Sequence, residues 1–148
     1  MGGNAEPVPG AKKALAFIRS MGKKVCFITN NSSKSRAEHL KKIHQLGFEA
    51  YENEVYHSTG SIVSAVRVAA EREPIVVGKP WSPMFDCIAQ NIDLDPARTL
   101  LIGDRLDTDI LFGRHNKLKT LLVLTGIQCE TDLSSCPENK FQTIILTQ

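Results

Sequence analysis

Nowhere in its 148 residues does the chain approach the roughly twenty consecutive apolar positions that a membrane-spanning helix needs. Its opening residues, MGGNAEPVPG, lack the charged and then apolar run of a secretory leader. Gly2 invites myristoylation, but Glu6 stands where Ser or Thr is wanted. A basic block is missing too: eighteen Lys and Arg against sixteen Asp and Glu leave a net charge of +2 spread along the chain. That balance argues against a dedicated nucleic-acid or membrane surface. Cys26, Cys87, Cys129 and Cys136 form no CxxC pair and show no metal-type spacing with the histidines. They read as reduced, mostly structural thiols of a cytoplasmic protein. What remains is small-molecule chemistry on one domain, long enough to bury a core without disulfides or a structural metal.

Apolar runs alternate with helical periodicity. Ala14, Leu15, Ile18 and Met21 predict a helix over Ala11–Met21 that Gly22 stops. Val25–Ile28 reads as a buried strand, followed by Thr29-Asn-Asn-Ser-Ser33, a polar turn that supplies the cap of a helix reaching about Leu46. Gly47 ends that helix. Phe48–Tyr56 is an ambiguous strand region, and Ile62, Val63, Val66 and Ala69 place a helix over Gly60–Glu73. Further strands are expected at Ile75–Val77, Thr99–Ile102 and Thr120–Leu124, with helices over Pro83–Ile92 and Asp107–Lys117. Asp95-Pro96 is a turn. Such alternation predicts an α/β fold with a doubly wound parallel sheet, in which ligands sit beyond the carboxyl ends of the strands.

Polar residues gather at those ends, and each cluster has two readings. Asp104, Asp107 and Asp109 follow the run Leu100-Leu-Ile-Gly103. Clustered hard oxygens suit Mg²⁺, whereas an acidic first helical turn also arises for dipole reasons alone. Thr29-Asn30-Asn31-Ser32-Ser33 offers hydroxyls and amides to an anion, and equally makes an ordinary N-cap. Lys79, in Gly78-Lys79-Pro80, is either a phosphate-binding cation or one more solvated lysine.

Taken together and in order, FITNNSSKSR, VGKP and GDRLDTDI are similar to the second, third and fourth motifs of the haloacid dehalogenase-like phosphatases. The branch they look most like contains phosphoglycolate phosphatase, 4-nitrophenyl phosphatase and pyridoxal phosphatase. VPGA, FDCIAQ and LVLTG extend the resemblance from Val8 to Gly126. It implies a Mg²⁺-dependent phosphomonoester hydrolase acting on a small phosphorylated metabolite or a phosphoprotein. By position, it implies that Thr29 and Asn30 bind the phosphoryl group and that Lys79 bridges nucleophile and phosphate. It also implies that Asp104 ligates Mg²⁺ with Asp109 supporting that shell. Asp107 has no role in the motif and is expected to cap the helix or face solvent.

Family phosphatases attack phosphorus with an aspartate carboxylate, and a second Asp two positions on protonates the leaving oxygen. That Asp-x-Asp belongs at the end of a central strand preceding VPGA, and the chain opens after that point. Asp93-Leu-Asp95 sits at a turn, and Asp107-Thr-Asp109 belongs to the fourth motif. The branch's substrate-selecting cap domain is expected after the third strand, yet EVYHSTGSIVSAV passes near residues 56–60 straight into a helical pattern. The tail from Ile127 diverges, with Ile144-Ile145-Leu146 supplying part of a last strand. The expectation is therefore a core lacking first motif and cap, impaired in catalysis, with open sheet edges that favour self-association. The alternative is a non-catalytic core that binds Mg²⁺ or phosphate, or pairs with a full-length homologue.

Overall fold

The computed structural model describes residues 6–58, 71, 76–126 and 143–146. The chain falls into two compact units, Met1–Arg72 and Glu73–Gln148.

In the first unit, helix α1 covers Ala11–Ser20 and closes through the Gly22 N–H on the Arg19 carbonyl, at 2.9 Å, where Gly22 takes φ 69°. Strand β1, Phe27–Thr29, lies two residues beyond the expected start. Its parallel partner β2, Val55–His57, is equally short, with Phe27 opposite Val55 and Thr29 opposite His57. The predicted cap of the next helix is corrected. Helix α2, Arg36–Gln45, is capped by Ser35, whose Oγ accepts from the Glu38 N–H while the Glu38 carboxylate accepts from the Ser35 N–H. This reciprocal pair satisfies two end groups at once. The Ser35 amide and hydroxyl also hold the Glu38 carboxyl below its ordinary range. Gly47, at φ 78°, ends α2 as expected.

Arg19 ties α1 to the 3₁₀ turn Glu52–Glu54 that precedes β2. Its Nη1 and Nη2 donate to the two oxygens of Glu54 at 2.8 and 2.6 Å, and Nη2 also donates to the Glu49 carbonyl. Burial works to raise the Glu54 carboxyl, but Arg19 and the Tyr51 N–H together hold it below its ordinary value. The helix predicted over Gly60–Glu73 falls almost wholly outside the described residues, as does the start of the strand predicted at Ile75–Val77. The rest of that strand is corrected: Val76 and Val77 are not in a strand, and they are 50% and 38% exposed.

In the second unit, Pro83 starts helix α3, Pro83–Asn91, which buries Met84 and Ile88 on one face. Strands β3, Leu100–Gly103, β4, Lys119–Val123, and β5, Thr143–Leu146, form a parallel sheet in that order. Leu101 pairs with Thr120 and Leu121 with Ile144. The crossover from β3 to β4 is not the single α-helix predicted over Asp107–Lys117. A π-helical turn, Leu106–Ile110, runs into a short helix α4, Leu111–His115. The Arg105 carbonyl accepts from both the Asp109 and the Ile110 N–H groups at 3.0 Å, and the second bond is the five-residue spacing that widens the turn. Ile110, Phe112 and Leu122 form the driest part of the core. Gly113 brings α4 down on the sheet: a Cβ there would lie 3.2 Å from Leu101 and closer still to Thr120.

Candidate functional site

Thr29 ends β1, and the Ser58 N–H continues the parallel ladder by donating to the Thr29 carbonyl at 3.1 Å. The loop that follows is folded on its own side chains. The Asn31 N–H donates to Thr29 Oγ1 at 3.1 Å, and the Ser33 N–H and hydroxyl donate to Asn31 Oδ1 at 2.9 and 2.6 Å. Buried His39 holds the Asn31 carbonyl at 3.0 Å; a carbonyl only accepts, so Nε2 carries the proton. Buried Ser58 donates to the Asn30 carbonyl at 3.2 Å. Because Thr29 Oγ1 receives the Asn31 N–H, its own hydroxyl proton is directed elsewhere, with no acceptor among the described residues. A phosphoryl oxygen is the acceptor such a donor suits.

In the second unit, Gly78-Lys79-Pro80-Trp81 is a tight turn closed by the Trp81 N–H on the Gly78 carbonyl, at 3.0 Å, with a cis Lys79–Pro80 bond. The turn projects Lys79 onto Asp109. Lys79 Nζ donates to Asp109 Oδ1 at 2.5 Å, and the two side chains are only 11% and 8% exposed. The Arg105 N–H donates to the other oxygen, Oδ2, at 3.2 Å. The π turn is what brings Asp109 inward. Gly103 makes room for it, since a Cβ on Gly103 would fall 2.5 Å from Asp109 Cγ. Asp104 follows Gly103 at the carboxyl end of β3 and is half-buried. Asp107 points away, 66% exposed, in an ion pair with Arg105 at 2.7 Å that holds its carboxyl below the ordinary range. It caps no helix.

In one unit the structure thus pairs Lys79, from the turn before α3, with Asp109 of the π turn and sets Asp104 directly after β3; in the other, Thr29 ends β1 and Asn30 follows it. Sequence reasoning missed His115. Its Nδ1–H donates to the Pro80 carbonyl at 2.9 Å, and its ring lies 6.2 Å from that of Trp81, so α4 holds the Lys79 turn in place. No spacing in the sequence announces a contact between those two segments.

Residues 3–92 match the family model described as haloacid dehalogenase-like hydrolase, and residues 76–145 match one described as HAD-hydrolase-like. The chain belongs to the haloacid dehalogenase-like hydrolase family. Among its relatives, glycerol-3-phosphate phosphatase of Gallus gallus is 52% identical over 84 residues, covering 53% of this chain and 27% of that protein. Human chronophin is 55% identical over 69 residues, covering 47% of this chain and 23% of chronophin. The matched stretches thus span about a quarter of those curated relatives' length. NagD of E. coli K-12 has the same fold, with a TM-score of 0.81 at 17% identity, covering 98% of this chain and 91% of NagD.

Proposed function

We propose that this chain carries the phosphate- and magnesium-binding core of a phosphomonoester phosphatase whose substrate is a small phosphorylated metabolite or a phosphoprotein. The observation that carries the reading is the buried Lys79–Asp109 pair, whose aspartate lies in the turn that Asp104 opens at the end of β3. A lysine held this dry is fixed in direction, as a cation meant to meet a phosphoryl group must be. The donor set fits Mg²⁺, which takes one or two carboxylates and completes its shell with water and phosphate oxygens. Asp104 is the direct ligand in this reading. Asp109, with both oxygens already accepting from Lys79 and Arg105, supports the site from behind. When bound, the ion supplies Lewis-acid polarisation of a phosphoryl oxygen. Lys79 adds positive charge where negative charge develops, and Asp109 keeps its ammonium aimed. In the first unit, Thr29 contributes a hydroxyl donor and Asn30 an amide suited to phosphate oxygens.

Catalytic impairment of the 148-residue chain is part of the proposal. Asp93 and Asp95 stand at a connection, Asp95 capping the 3₁₀ turn Pro96–Arg98, while Asp107 and Asp109 are engaged by Arg105 and Lys79. None of these is placed as a nucleophile with an acid two positions on. Cytoplasmic residence belongs to the same proposal, supported by the unpaired thiols of Cys26 and Cys87. So does self-association: β3 is an outer strand among the described residues, with Leu100 and Ile102 48% and 49% exposed.

The test is hydrolysis of 4-nitrophenyl phosphate by the purified chain with and without Mg²⁺, beside Asp104→Asn. The expected result is no turnover above the variant. Mg²⁺-dependent turnover lost in Asp104→Asn would overturn the impairment and leave the phosphatase assignment standing.

A further inference from the structure

Gly126 closes the run LVLTG in an exposed turn just past β4. Its φ lies outside the left-handed region that favours glycine, so its own backbone conformation admits a side chain. What excludes one is Asp104. A Cβ built on Gly126 falls 2.5 Å from both Cβ and Cγ of Asp104, and nearer still to Oδ2. Carbon atoms in contact stand about 3.5–4.0 Å apart. The conflict reaches the root of the Asp104 side chain, so rotating the carboxylate alone does not relieve it. Gly10 and Gly22 are the opposite case, with φ 82° and 69° and nothing within 4 Å of a built Cβ. Those two serve the backbone; Gly126 serves a neighbouring side chain.

We infer that Gly126 is a positioning residue for the cation site: the space left by its missing side chain is where the Asp104 carboxylate stands, and the turn after β4 forms one wall of that site. This rests on the reading of Asp104 as the Mg²⁺ ligand. Any side chain at residue 126 displaces Asp104 from the end of β3 and loosens its hold on the ion, while Lys79 and Asp109, on other elements, stay paired.

The test compares wild type, Gly126→Ala and Gly22→Ala in the full chain by amide NMR, first without metal and then during a Mg²⁺ titration. Without metal, Gly126→Ala is expected to move the amides of Gly103, Asp104 and Arg105. With metal, its apparent affinity is expected to fall about tenfold or more, the usual size of a lost supporting contact. Gly22→Ala, which strains the backbone far from any carboxylate, is expected to bind Mg²⁺ like wild type. Equal Mg²⁺ affinity in Gly126→Ala and wild type would overturn the inference. An absence of saturable shifts in wild type would instead overturn the proposed metal site, and the metal-free map would still decide whether Gly126 places Asp104. If Gly126→Ala does not fold, adding Asp104→Gly is expected to restore folding, and failure to do so would refute the contact.

Discussion

Replacing Lys79 by Met keeps the aliphatic stem and removes the charge, leaving the Asp109 carboxylate buried with only the Arg105 N–H against it. The Asp109 side chain is 8% exposed, so solvent does little to screen it. Breaking a buried pair on one side costs about 3–5 kcal/mol, whereas an exposed pair is worth about 0–1 kcal/mol. About 3 kcal/mol, the low end of that range, is expected for Lys79→Met and a similar value for Asp109→Leu, which removes the carboxylate that Lys79 pairs with. The double variant Lys79→Met/Asp109→Leu fills the same volume with apolar groups and is expected to recover most of that loss, because buried pairs are often replaceable as pairs. Urea denaturation of the four proteins closes the cycle, with an unchanged denaturant slope as the check that one transition is being compared. Single variants that lose less than about 1 kcal/mol, the range of a solvated pair, would refute the buried geometry. The recovered double variant is also expected not to bind phosphate, which separates the pair's function from its role in stability.

Two other perturbations probe different parts of the chain. Since Glu54 is held below its ordinary value in the folded state, its pairing with Arg19 contributes fully above about pH 4.3, the ordinary glutamate value, and is lost as pH falls through the lowered one. Arg19→Ala is therefore expected to cost about 2 kcal/mol at neutral pH and to flatten the acid limb of stability, measured by denaturation between pH 3 and 7, all on the order of a charged hydrogen bond; an unchanged limb would contradict the assignment. Burial pushes the Cys26 thiol up, while Cys87 is exposed on α3. Iodoacetamide near neutral pH is expected to label Cys87 well before Cys26 by peptide mapping, and the reverse order would place Cys26 in a different setting.

The strands at β1, β3 and β4 were readable because apolar runs stop at polar turns, whereas Val76 and Val77 carry the same signal outside any strand; strand limits were not readable, since β1 begins only where Val55 lies opposite Phe27. TNNSS offers a helix cap from its composition, but the reciprocal bonds of Ser35 and Glu38 make the cap, and Asn31 and Ser33 turn on each other instead. GDRLDTDI announced its acids without their separation. The second N–H on the Arg105 carbonyl makes the turn π-helical and sends Asp109 to Lys79, while Asp107 is left to Arg105 at the surface. That choice depends on a lysine thirty positions away. Gly126 was legible only as the end of the LVLTG resemblance, because the space it leaves is defined by the side chain of Asp104, just past β3.

Calorimetric titration of inorganic phosphate into the chain, with and without Mg²⁺ and beside Asp104→Asn and Lys79→Met, tests the central claim most directly. The account predicts phosphate binding that requires Mg²⁺ and disappears in both variants. Binding that is indifferent to Mg²⁺ and survives in both, or no binding under any condition, would contradict it.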